Sequence, residues 1–71
     1  MTLREAIERA IRKKDPSTAS RVCNYLWFNK GQNYNQQCEA FKQVADSLGI
    51  PFTRFDFEDL MVAVDDWGAR Q

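Results

Sequence analysis

The sequence predicts an all-α fold, a compact bundle of about four short helices spanning approximately residues 2–14, 16–29, 33–48 and 56–67 of a 71-residue chain. Three observations predict it. Apolar residues recur at three- and four-residue spacing in four separate segments, the pattern of one buried helical face. Residues that start and stop helices stand between those segments: Asp15-Pro16, Gly31, Asn33, Gly49 and, after the last, Gly68. The one alternating run, Phe52 to Phe57, is too short and too isolated to build a sheet. A chain of this length makes one domain, of a size at which burial and ordering entropy nearly cancel, so no helix is expected to stand alone.

The first helix places Leu3, Ala6, Ile7, Ala10 and Ile11 on one face. Thr2 and Glu5 form a capping-box pair at its start, and Arg12, Lys13 and Lys14 sit where the helix dipole favours cations. Asp15 then caps a second helix that opens on Pro16, a residue suited to the first helical position, and stops near Gly31. Its stripe is Ala19, Val22, Cys23, Leu26 and Trp27. Asn33 with Gln36 caps the third helix, whose stripe of Tyr34, Cys38, Phe41, Val44, Ala45 and Leu48 is the most regular in the chain and ends at Gly49. Ile50 to Phe55 reads as a connector, extended before Pro51. Thr53 and Asp56 are the two candidate caps of a fourth helix bearing Phe57, Leu60, Met61, Val64 and Trp67 and stopped by Gly68. Phe52, Phe55 and Trp67 are expected to close the small core, and the short connections favour antiparallel neighbours.

Composition excludes more functions than it supports. The chain has no histidine, so it lacks the usual neutral-pH proton carrier and any Ser-His or Cys-His nucleophile. Its three glycines stand singly rather than in a phosphate-binding loop. Cys23 and Cys38 have neither a second cysteine pair nor a histidine to make a zinc site; both fall on apolar stripes and read as reduced core thiols. Glu58, Asp59, Asp65 and Asp66 lie mostly off the apolar stripe, as a solvated face does. No catalytic residue, metal site, cofactor or small-molecule substrate is implied. The expectation is a non-enzymatic cytoplasmic protein without a membrane helix or signal peptide. Net charge is zero but divided, with +4 over residues 1–30 and −4 over residues 31–71. Such a chain can pair its own halves or pair head-to-tail with a second copy.

Residues 41–57, FKQVADSLGIPFTRFDF, resemble a helix-turn-helix. Ala45, Gly49 and Ile50 match the small residue, the turn glycine and the apolar residue of that motif, with Val44 and Leu48 at its flanking apolar positions. The resemblance implies nucleic-acid binding through residues 41–59, with Thr53 and Arg54 as contacts and Arg9, Arg12 and Lys13 in support. Asp56, Glu58 and Asp59 depart from it, because acids in a groove-facing helix repel phosphates.

The most informative run is Tyr25-Leu26-Trp27-Phe28, which makes the second helix apolar around nearly its whole circumference. Either this helix is a hub packed on several neighbours, or Tyr25 and Phe28 face outward beside Arg21 and Lys30 as a protein-binding patch. The second reading makes the chain a small interaction module, an adaptor, regulator or inhibitor of a size common in viruses and mobile elements. Its partner would be another protein or a second copy of itself.

Overall fold

The helix boundaries lie where side chains satisfy the free amides of each first turn. The computed structural model describes residues 1–71 and contains four helices: α1 Leu3–Lys13, α2 Pro16–Lys30, α3 Tyr34–Leu48 and α4 Arg54–Ala69. Thr2 and Glu5 cap α1 reciprocally, each bond 3.1 Å long. Asp15 caps α2, accepting from the Ser17 amide at 3.1 Å and the Thr18 hydroxyl at 2.8 Å. Asn33 and Gln36 close the same box on α3 at 2.9 Å. On α4 the two candidate caps divide the work. Thr53 is the cap, and Asp56 accepts from the Thr53 amide at 2.7 Å.

This last cap lengthens the fourth helix beyond its expected start at residue 56. Phe55 thereby falls inside the first turn, two residues before Phe57 and so about 200° from it around the axis. Since Phe57 faces the core, Phe55 faces solvent and is 78% exposed, contrary to the expectation that it closes the core. Gly68 does not stop the helix either. It continues to Ala69, because no left-handed residue follows Trp67 to turn the chain. Gly31 and Gly49 do adopt positive φ, +63° and +71°, and end α2 and α3. After Gly49, the Ile50 amide reaches back to the Ala45 carbonyl at 2.9 Å, and Ile50 packs onto the core.

Four helix pairs pack: α1 with α2, α2 with α4, α1 with α3 and, least extensively, α3 with α4. The consecutive pair α2 and α3 is not among them, so the helices run in the order α1, α2, α4, α3 around the bundle. Every helix has two packed neighbours, and α2 makes the two most extensive of the four pairings. The radius of gyration, 11.1 Å, equals the value of about 11 Å for a close-packed chain of this length.

The core is Ile7, Ala10 and Ile11 of α1, Ala19, Val22 and Leu26 of α2, Cys38, Phe41 and Ala45 of α3, and Phe57 and Leu60 of α4. Phe41 meets Phe57 edge-on with centroids 5.1 Å apart, and Phe52 of the connector stacks on Phe41 at 6.2 Å. Three stripe residues stand further out than expected. Trp27 is 57% exposed, because it lies 100° from Leu26 and past half-buried Cys23 at the margin of the α2 stripe. Tyr34 meets Phe57 in an edge-to-face contact at 5.1 Å and is 41% exposed. Leu3 lies in the first turn of α1, beyond most of its neighbours, and is exposed.

Phe41 is wholly enclosed, so Phe41→Ala is expected to cost about 3–5 kcal/mol. A chain of this size has about 4–10 kcal/mol of stability, so urea titration followed by circular dichroism should find the variant largely unfolded or nearly so. Thr53→Ala, which removes one cap, should cost about 1 kcal/mol in the same assay.

The Glu5 and Asp56 carboxyls are held below the ordinary carboxylate range, chiefly by the backbone amides of Thr2 and Thr53. Asp15 is lowered chiefly by the Thr18 hydroxyl. Folding lowers these values, so the stabilisation is complete above the unfolded-chain values and is lost as pH falls through the folded ones. Urea midpoints should be level above about pH 5 and decline below about pH 4.

Candidate protein-binding surface

α2 buries one side and leaves the other bare. Ala19, Val22 and Leu26 are buried, whereas Arg21, Tyr25 and Phe28 are exposed. Their spacing of four and then three residues aligns them along the outer side of the helix. Tyr25 is 43% and Phe28 79% exposed. Arg21 takes part in none of the five ion pairs of the chain. Its guanidinium is therefore not committed to an internal carboxylate.

The start of α1 widens this stripe into a groove. Met1, Thr2, Leu3 and Ala6 on one side face Arg21, Val22 and Tyr25 on the other across an open volume of about 330 Å³. The structure thus brings Arg21 and Tyr25 together, with Phe28 one turn further along α2. Lys30 stands apart. It is the last residue of α2 and lies about 200° around the axis from Phe28, so only its position at the helix end keeps it near the patch. Met1 and Leu3 were missed in the sequence reading, where Leu3 was placed in the core stripe. The only signal for them was their place at the start of α1. Trp27 adds a third exposed aromatic on the opposite flank of α2.

The residues implied by the helix-turn-helix resemblance are placed differently. Ala45 is buried and Gly49 has positive φ, as at any helix C-terminus that ends on a left-handed glycine. Thr53 is engaged in its cap, and its hydroxyl also donates to Asp56 at 3.1 Å. Arg54 pairs with Glu58 at 3.3 Å and lies over the Tyr34 ring, 5.8 Å from its centre. On α1, Arg12 pairs with Glu8 at 2.8 Å and Arg9 with Asp15 at 3.4 Å, while Lys13 takes no part in an ion pair. α4 carries five acids and one arginine.

A second cleft, of about 290 Å³, opens where Lys14 faces Asp56 and Asp59 above Ile11 and Leu60. Three metal-ligating side chains converge nowhere in the chain. No helix is long and apolar enough to cross a membrane. Both cysteines are free. Cys38 is buried, and half-buried Cys23 donates its thiol to the Met61 sulfur at 3.8 Å. Burial pushes the Cys23 thiol up to about 11 and raises that of Cys38. No protein-family model, curated protein or solved structure matches the chain.

Near neutral pH both thiols should be slow to alkylate in the folded protein. Iodoacetamide labelling of Cys23 at pH 8 should be roughly a hundredfold slower than for an ordinary thiol, should precede that of Cys38, and both should become rapid in urea, as read by mass spectrometry.

Proposed function

We propose that this chain is a non-enzymatic protein-interaction module, an adaptor, regulator or inhibitor, that binds through the Arg21–Tyr25–Phe28 stripe of α2 and the adjoining groove. The observation that carries the reading is the exposure of Tyr25 and Phe28 on one stripe with an unpaired arginine. A domain this small has few large apolar groups to bury, and two aromatics left in water beside a free guanidinium have the composition of interface anchors. Lys30 adds positive charge at the end of the stripe, and Trp27 widens the aromatic surface. Nucleic-acid binding through residues 41–59 has less support, because the acids of α4 outnumber its one arginine and that arginine is paired.

Tyr25→Ala with Phe28→Ala removes exposed rings only, so the thermal midpoint should stay within about 5 °C of the parent. The same variant should lose the protein partners retained by the immobilised parent chain, whereas Gln43→Ala, on the exposed side of α3, should retain them. Unchanged partners on the double variant, from a chain that is also monomeric, would overturn the reading.

A further inference from the structure

α4 carries a stripe that no element of the fold covers. Phe55, Asp59, Val62 and Asp66 follow one another at spacings of four, three and four residues, and all four are exposed. Phe55 is 78% and Val62 66% exposed, so the stripe alternates apolar and acidic groups. Asp59 joins none of the ion pairs, and Asp66 has only a solvent-exposed one with Arg70 at 3.2 Å. The outer stripe of α2 has the same spacing and the opposite charge. Arg21 is the one cation on that stripe, since Lys30 stands apart from it, and α2 has no acid, against five acids and one arginine on α4.

We infer that the occupant of the α2 surface is the α4 stripe of a second copy of this chain. The inference rests on the reading of α2 as a binding surface and names what binds there. Two helical stripes with this spacing can interlock along a shallow crossing, as coiled-coil seams do. Arg21 then has Asp66 of the second copy as its partner, and Tyr25 and Phe28 have Val62. α2 and α4 are packed neighbours in the bundle, so a two-fold dimer can set α2 of each copy beside α4 of the other. The pairing then closes as a dimer rather than extending as a fibre. Both stripes lose their water, and Arg21 gains a carboxylate partner.

The test is a charge-swap series read by analytical ultracentrifugation of the full chain. The parent should dimerise reversibly, below about 1 mM. Arg21→Glu alone should weaken the dimer at least about tenfold, and so should Asp59→Lys with Asp66→Lys. Mixing these two variants should restore a heterodimer, because each then presents the complement of the other. All the altered side chains are exposed, and circular dichroism checks that each variant keeps its helices. A parent monomeric at about 1 mM overturns self-pairing but leaves α2 to a foreign partner. A dimer that persists in Tyr25→Ala with Phe28→Ala overturns the α2 surface itself. A dimer lost in that variant but indifferent to the α4 charges shows a different occupant and overturns the pairing proposed.

Discussion

The edge-on contact between Phe41 and Phe57 holds this bundle together where it is otherwise thinnest. α3 and α4 are the least extensively packed of the four pairs, and these two rings are the largest fully enclosed side chains of their helices. Phe52 stacks on Phe41 from the connector, and Tyr34 meets Phe57 from the start of α3. The four rings therefore form one aromatic cluster across the α3–α4 seam. Aromatic pairs in such geometries add about 0.5–1.5 kcal/mol beyond area burial. In a domain whose total stability is only several such units, that contribution is a sizeable part of what joins α3 to α4.

Docking of α4 has a consequence at the surface. Turning Phe57 inward turns Phe55 outward, since residues two apart on a helix lie on nearly opposite sides. The same rule acts on α2, where Ala19 and Leu26 face the core and Arg21 and Phe28 face away. The exposed apolar stripes of both helices are thus the reverse sides of their buried ones. A chain that needed only a fold would place polar residues there, as α1 does with Glu8, Arg9 and Arg12. That α2 and α4 carry aromatic and aliphatic groups instead, with opposite charges beside them, is the basis for assigning an interaction role.

Much of this was legible in the residues themselves. All four helices and three of the four N-caps follow from local chemistry, in which a short polar side chain precedes an apolar period and, at Thr2 and Asn33, a carboxylate or amide stands three residues on. Helical periodicity leaves the position of Tyr25 and Phe28 open, because a helix apolar on nearly its whole circumference can equally be packed on several neighbours. The cap of α4 was ambiguous, since Thr53 and Asp56 both qualify. That ambiguity hid the exposure of Phe55, because a two-residue change in where a helix begins reverses which side chain faces the core. Gly68 looked like a stop, but a glycine ends a helix only when the chain beyond it turns away.

Local sequence determined where the helices lie and which side of each is buried, because caps and amphipathic periods act over three to seven residues. Only the tertiary structure decided the rest. The order α1, α2, α4, α3 around the core separates consecutive helices α2 and α3, which no short-range pattern specifies. The margins of the stripes, where Trp27, Tyr34 and Leu3 stand exposed, depend on how far each neighbouring helix extends over them. The groove between Met1 and Tyr25 exists because two distant turns of chain come to lie side by side.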